Sequence, residues 1–169
     1  FIVLPLLILY NLFFKKIPFI GNIATATLLG SVFIFTELVL TKKATCLIIP
    51  SLLAFNLSFI REIIKDLHDL KGDIYCSMNT IPAILGIKRT CQYLSYYLFI
   101  SCILFSLPWW LNIYSYNYLI SLIFLIEIPI LYSLLLLLRF QTIKTFREMT
   151  KLYKLITIAG LIVILTSKF

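Results

Sequence analysis

The sequence predicts an all-α integral membrane protein, built as a bundle of transmembrane helices. Of its 169 residues, 62% are hydrophobic, and the mean hydropathy is +1.04. A water-soluble domain of this size needs a far more polar surface. Apolar runs of roughly 20 residues recur along the chain, which is about the length that crosses a bilayer core. Continuous runs of this length indicate helices, because a helix satisfies its own backbone hydrogen bonds in lipid.

Six apolar segments account for most of the chain, and we interpret them as one transmembrane domain covering residues 1–169. Their approximate bounds are 1–14, 19–41, 44–60, 90–111, 118–138 and 152–167. The first segment starts at Phe1 and stops at Lys15 and Lys16. It has neither the basic start nor the small-residue cleavage site of a signal peptide. We therefore expect the end of a helix that begins outside this sequence.

The positive charges indicate how the bundle lies in the membrane. The net charge is +8, but the lysines and arginines are spread over short breaks between apolar segments, which argues against nucleic-acid binding. Most of them follow the first, third and fifth segments, and the positive-inside rule places these breaks in the cytoplasm. We predict a multi-pass protein of the cell's inner (plasma) membrane, with the basic break 139–154 contacting anionic membrane lipids.

The acidic residues are concentrated in one stretch. Only 7 residues of the chain are acidic, and Glu62, Asp66, Asp69 and Asp73 fall between Phe59 and Asp73. On a helix that continues from segment 44–60, at about 100° per residue, these four carboxylates share one face within roughly 60°. Like charges at these spacings repel, so a cation should offset them.

This acidic face has two interpretations. The three aspartates are well spaced to hold a divalent cation such as Mg²⁺, which takes carboxylate oxygens and keeps water or phosphate oxygens as its other ligands. Neighbouring Arg61 and Lys65 could meet the remaining phosphate charge. The pattern then predicts a metal-bridged di- or triphosphate at the cytoplasmic edge of the membrane. The alternative is a solvated loop helix of mixed charge.

Two motifs resemble a known family. "REIIKDLHDLKGD" (61–73), followed by "NTIPAILGIK" (79–88), resembles the second Asp-rich motif of the UbiA superfamily of intramembrane prenyltransferases and the segment after it. "YNLFFKKIPFIGN" (10–22) is similar to that family's Tyr-x4-Lys motif. The resemblance implies a nine-helix fold of which six helices, the fourth to the ninth, are present. The family's first Asp-rich motif, and with it half of the metal site, is absent from this sequence.

The resemblance also implies an activity: Mg²⁺-dependent transfer of a polyprenyl group from a prenyl pyrophosphate donor to a membrane-associated acceptor. The implied Mg²⁺ ligands, directly or through water, are Asp66, Asp69 and Asp73. The implied pyrophosphate contacts are Lys15, Arg61 and Lys65. Tyr10 would orient the leaving group or shield the prenyl cation with its ring.

The acceptor is less clearly indicated by the motifs. They are most like the branch that adds geranylgeranyl to geranylgeranylglyceryl phosphate in archaeal-type ether lipids. Alternatives are an aromatic-acid prenyltransferase of quinone biosynthesis, which uses 4-hydroxybenzoate or dihydroxynaphthoate, a cation transporter, and an inactive fragment. A transporter would place acids on several helices around a pore, whereas here they follow one another along one helix.

Five other polar residues could serve either structure or function. Asn22 and Asn56 are weaker site candidates, since a polar residue within a span more often makes a helix-to-helix hydrogen bond. Glu37 lies near the end of its segment, which favours a carboxylate that reaches the interface. Glu127 lies mid-segment and is either packed or part of a cavity. His68 points about 200° away from Asp66 on the helix, which predicts a surface histidine rather than a general base.

Overall fold

The computed structural model describes residues 19–167, and they form five helical rods without a strand. The helices are α1 (Ile20–Thr41), α2 (Ile48–Tyr75), α3 (Ile81–Trp110), α4 (Tyr116–Leu122), α5 (Ile128–Arg139) and α6 (Ile143–Thr166). A π-helical turn, Ile123–Glu127, joins α4 and α5 into one rod. The predicted all-α bundle is confirmed. The predicted segment 1–14 with Tyr10, and Lys15 directly after it, lie outside the described residues.

Four of the described rods are long and apolar enough to cross a membrane, namely Ile20–Thr41, Ile81–Trp110, Tyr116–Arg139 and Ile143–Thr166. The protein is therefore a multi-pass membrane protein. The remaining rod, α2, carries the acidic stretch.

Three helices extend further than their apolar segments. α2 continues to Tyr75, α3 begins at Ile81, and α6 begins at Ile143 within the predicted basic break. The hydroxyl of Thr142 caps α6 by accepting a hydrogen bond from the backbone N–H of Thr145 at 3.2 Å. Apolar length measures only the part of a helix that lies in lipid, while backbone hydrogen bonding continues into water until a cap or turn ends it.

α2 occupies the centre of the bundle, with α1, α3 and α6 packed around it. In its second half, Ile60 and Ile64 are fully buried and belong to the same core cluster as Phe146, Met149 and Tyr153 of α6, which are also fully buried. Deeper in the bundle, the hydroxyl of Ser101 donates a 2.9 Å hydrogen bond to Asn56. Asn56 is thus a helix-to-helix contact between α3 and α2.

α1 approaches α2 closely at Gly30. A Cβ atom at this position would lie 2.8 Å from the carbonyl oxygen of Ser51 and 3.2 Å from the Cβ of Phe55. Small residues let two membrane helices bring their backbones together, where packing rather than the hydrophobic effect holds them. Among residues 19–167, α1 packs mainly against α2.

Glu37, at the other end of the same interface, binds the backbone of the turn that leads into α2. Its carboxylate accepts hydrogen bonds from the backbone N–H groups of Thr45, Cys46 and Leu47 at 2.9, 2.8 and 2.8 Å. Backbone N–H groups of a turn lack the partners that a helix supplies, so a carboxylate that accepts from them stabilises the turn. Glu37 is only 5% exposed. The sequence favoured a carboxylate that reaches outward to the membrane interface. The structure instead turns the Glu37 side chain towards the backbone of the segment that follows α1.

Replacing Gly30 by alanine should destabilise the protein by roughly 1–3 kcal/mol, because the added methyl group overpacks a backbone contact. Gly72→Ala is the matched control, since a Cβ there meets nothing within 4 Å and alanine is the better helix former. Thermal unfolding of the intact protein in detergent measures both. Equal melting temperatures for the two variants would contradict the close approach.

Glu37→Gln should also lower stability, by about 1–3 kcal/mol, because an amide NH₂ would replace one of the two accepting oxygens. Glu148→Gln serves as the control: Glu148 forms one exposed ion pair with Lys151 at 3.5 Å, and such pairs contribute little. The same unfolding assay compares them. A Glu37 variant as stable as the Glu148 variant would show that the hydrogen bonds of Glu37 to the turn before α2 add little to the stability of the protein.

Candidate functional site

The acidic face of α2 begins where the helix leaves the buried core. Glu62 is buried at 8% exposure, Asp66 and Asp73 are half-buried, and Asp69 is exposed. The helix is unbroken from Ile48 to Tyr75, so all four carboxylates lie on one rigid element. The five predicted site residues within the described part of the chain, Arg61, Lys65, Asp66, Asp69 and Asp73, therefore share one face and its flank.

Glu62 pairs with both of the predicted phosphate-binding cations. Its carboxylate lies 3.7 Å from the Arg61 guanidinium and 3.5 Å from the Lys65 ammonium. In the described part of the chain, no lysine or arginine forms an ion pair with Asp66, Asp69 or Asp73. The acidic face thus divides into one carboxylate that is paired with two cations and three carboxylates that no described lysine or arginine compensates.

Asp66 is linked to α1 through Asn22. The amide Nδ2 of Asn22 donates a 2.8 Å hydrogen bond to Asp66 Oδ2. Burial raises the pKa of the Asp66 carboxyl to about 6, and Asp73 and Glu62 add to the rise, while Asn22 and Lys65 oppose it. A nearby cation would favour the charged form of this partly buried carboxyl group and lower its pKa again. Binding of a cation at Asp66 would therefore relieve the cost of burying its charge.

His68 contacts the acidic face despite its position on the helix. Its Nδ1 lies 2.7 Å from Oδ1 of Asp69. The sequence predicted a side chain pointing away from this face. The two residues are adjacent, and the exposed Asp69 side chain turns across the helix surface to meet the imidazole.

The carboxylates of Asp66, Asp69 and Asp73 could form part of a metal site. Their oxygens are the hard ligands that Mg²⁺ prefers, and the spacing presents them on one side. Within residues 19–167, however, no group of three or more His, Cys, Asp or Glu side chains converges closely enough to hold a metal ion. The described side chains would therefore hold Mg²⁺ only together with oxygens from a ligand or from another part of the protein.

An apolar cleft ends beside these charges. It has a volume of about 260 Å³ and is lined mainly by α1, α2 and α6, with further residues from α3, α4 and the π-helical turn; Leu29, Leu57 and Leu161 are among its lining residues. Arg61 is the one charged residue in its described lining. On α2 the cleft wall ends at Arg61, and Lys65 and Asp66 follow within about one and a half turns. The cleft suits an apolar chain whose anionic end reaches Arg61.

Sequence reasoning did not reveal this cleft or the partner of Asn22. The cleft is assembled from several helices that are distant in sequence, and Asn22 and Asp66 are 44 residues apart. The periodicity of apolar residues along one helix does not predict contacts between separate helices. Glu127, left open by the sequence, accepts a 2.9 Å hydrogen bond from the Ser106 hydroxyl and is a packed group of the α3–α5 interface.

Comparisons with known proteins agree on one family. The family model described as "UbiA prenyltransferase family" matches residues 1–155. A digeranylgeranylglyceryl phosphate synthase of Methanosphaera stadtmanae is 35% identical over 150 residues, which cover 89% of this chain and 54% of that protein. The protein of the same name from Saccharolobus solfataricus is 33% identical over 165 residues, covering 94% and 56%.

A solved structure gives the same result. It comes from work on digeranylgeranylglyceryl phosphate synthase in membranes and matches with a TM-score of 0.81 at 29% identity. The match covers 98% of this chain and 58% of the other. The chain thus spans a little over half the length of the relatives that it matches.

The Asp66 carboxyl generates a pH prediction. Its pKa is higher in the folded protein (about 6) than its ordinary value of 3.8, so the folded state binds the proton more tightly. Stability should therefore fall as the pH rises through this window and level off above it. Asp66→Asn should remove that slope and raise stability at pH 7.5 by on the order of 1 kcal/mol, allowing for partial exposure.

Unfolding of the intact protein between pH 4 and 8, with a chelator present, measures this slope. Asp69→Asn is the control, because it removes an exposed carboxylate from the same face. An Asp66→Asn variant that is less stable than the parent at pH 7.5 would contradict the prediction.

Proposed function

This chain belongs to the UbiA prenyltransferase family, and we propose that the protein transfers a polyprenyl group from a prenyl pyrophosphate to a membrane-associated acceptor. The observation that carries the proposal is the junction on α2, where the wall of the apolar cleft ends at Arg61 and the carboxylates begin. An apolar chain with a pyrophosphate end has the same polarity. The proposal concerns the whole protein, of which this chain is a little over half by comparison with its relatives.

The cleft would hold the prenyl chain and exclude water from its reactive end. Its described lining is apolar except for Arg61 and the hydroxyl groups of Ser58, Tyr118 and Thr157. Most side chains around an allylic cation in the cleft would therefore be apolar ones that do not react with it. The acceptor could then compete successfully with water.

Arg61 and Lys65 would bind the pyrophosphate. Negative charge grows on the leaving group as the allylic C–O bond breaks, and preorganised cations stabilise it. Both cations are already oriented by Glu62 at 3.7 and 3.5 Å, so little reorganisation is needed. The acceptor oxygen then forms the new C–O bond with the prenyl carbon and loses its proton, while pyrophosphate departs.

Mg²⁺ is the proposed cofactor, with Asp66, Asp69 and Asp73 as its ligands in this chain. When bound, it would supply positive charge to the pyrophosphate oxygens and so favour their departure. The repulsion and the raised pKa on this face support the assignment, because a divalent cation relieves both.

We propose geranylgeranylglyceryl phosphate as the acceptor, on the strength of the relatives' names and the 33–35% identity to them. The asymmetry of positive charge supports a cytoplasmic position for the acidic face, in the cell's inner membrane. The donor and acceptor would then both reach the site from the bilayer.

Prenyl transfer by the intact protein in liposomes tests the proposal. Radiolabelled geranylgeranyl pyrophosphate is supplied with geranylgeranylglyceryl phosphate, 4-hydroxybenzoate or dihydroxynaphthoate as acceptor. We expect product with the glyceryl phosphate only, and a loss of at least about 100-fold in Asp66→Ala and Asp69→Ala, since each removes charge stabilisation of the leaving group. Chelation of Mg²⁺ should have the same effect.

Glu148→Gln is the control, because it removes an exposed carboxylate from α6 without touching the acidic face. Product with an aromatic acid alone would assign the protein to quinone biosynthesis instead. Full activity in both aspartate variants would remove the acidic face from the mechanism.

A further inference from the structure

The first turns of α6 carry a basic stripe, which we define as Lys144, Arg147, Lys151 and Lys154. Spacings of 3, 4 and 3 residues keep all four within about 80° of one face, and all are exposed. Phe146, Met149 and Tyr153 are buried on the opposite side. The described residues offer this stripe one acidic partner, Glu148, which lies 3.5 Å from Lys151.

Lys154 is the member of the stripe nearest to the apolar cleft. Leu161, seven residues further along α6, lines the cleft, and two turns of helix bring a side chain back to within about 20° of the same direction. Thr157, which also lines the cleft, is one turn from Lys154. Lys154 therefore lies just outside the cleft on the α6 side.

The packing of α6 on α2 sets the level of Lys154. A Cβ at Gly160 would lie 3.6 Å from Leu57, and the two helices run in opposite directions. One turn towards the cytoplasm, Arg61 and Thr157 line the cleft from the two helices. A further turn reaches Lys65 on α2 and Lys154 on α6. The mouth of the cleft thus has cations on two sides.

The two sides differ in their partners. Arg61 and Lys65 are paired with Glu62 and lie beside the three aspartates of the acidic face. Lys154 forms no ion pair with any residue between 19 and 167. An anion that comes to Lys154 would therefore displace no acidic partner among residues 19–167, and a phosphate monoester offers it charge-assisted hydrogen bonds.

We propose that Lys154 binds the phosphate of the lipid acceptor and thereby selects a glycerophosphate lipid over an uncharged one. This inference rests on the proposed function and assigns a specificity residue to it. The donor pyrophosphate is bound by the α2 side of the mouth, and the acceptor phosphate is bound by the α6 side. The acceptor's free hydroxyl is then directed towards the cleft between them.

Steady-state kinetics of the intact protein test this division. Lys154→Gln should raise KM for geranylgeranylglyceryl phosphate about tenfold, with the donor KM within about twofold of the parent, because one charged contact to the acceptor is lost. Lys154→Arg should restore most of the affinity. Lys151→Gln is the matched control, since it removes a charge from the same stripe on a side chain already paired with Glu148. A donor KM that rises as much as the acceptor KM would overturn the assignment.

Equilibrium binding separates failure of this inference from failure of the proposed reaction. The probes are lysophosphatidic acid, which carries a phosphate monoester, monoacylglycerol, which lacks it, and phosphatidylglycerol, an ordinary anionic lipid. Lys154→Gln should weaken binding of lysophosphatidic acid alone, about tenfold, whether or not the protein transfers a prenyl group. Unchanged binding overturns the proposal. An equal loss for phosphatidylglycerol, or the same loss in Lys151→Gln, also overturns it and indicates a general lipid-binding surface.

Discussion

The packing of α1 against α2 is the interaction on which the candidate site depends. Three contacts hold these helices at three levels: Asn22 bonds to Asp66 at the acidic end, Gly30 meets the backbone of Ser51 midway, and Glu37 binds the turn before α2 at the other end. Among residues 19–167, α1 has little other support. The same helix supplies one wall of the apolar cleft. The position of that wall and the position of Asp66 are therefore set together.

The acidic face itself works against stability. Among residues 19–167, no lysine or arginine pairs with the three aspartates of this face, and Asp66 is partly withdrawn from water. Groups held in unfavourable electrostatic surroundings are a common feature of functional sites, since the binding of the ligand relieves the cost. Glu62 is the instructive contrast. It is more buried than the aspartates, but its two cationic neighbours compensate it, and so it needs no ligand.

Much of the fold follows from patterns that are local in sequence. Apolar length predicts the rods, and the spacing of Glu62, Asp66, Asp69 and Asp73 predicts one face on a continuous helix, because both depend only on helix geometry. The start of α6 at Ile143 was not predictable in this way, since hydropathy marks the lipid boundary and not the helix end. The contacts of Asn22 and Glu37, and the cleft itself, depend on how separate helices meet.

Charge repulsion gives a reason for cations on two helices at one mouth. The proposed reaction brings a pyrophosphate and a phosphate monoester to the same end of the cleft. Two groups of charge −2 about 8 Å apart, at an effective dielectric constant of about 20, repel by on the order of 8 kcal/mol. A single cluster of cations would draw both anions to one place and let them compete for it. In the proposed arrangement, cations divided between α2 and α6 would bind each anion on its own side. The acidic face also makes the sides unequal, because Asp66, Asp69 and Asp73 repel a phosphate that arrives without a metal ion. Lys154, on the helix that lacks such a face, can bind a phosphate by itself.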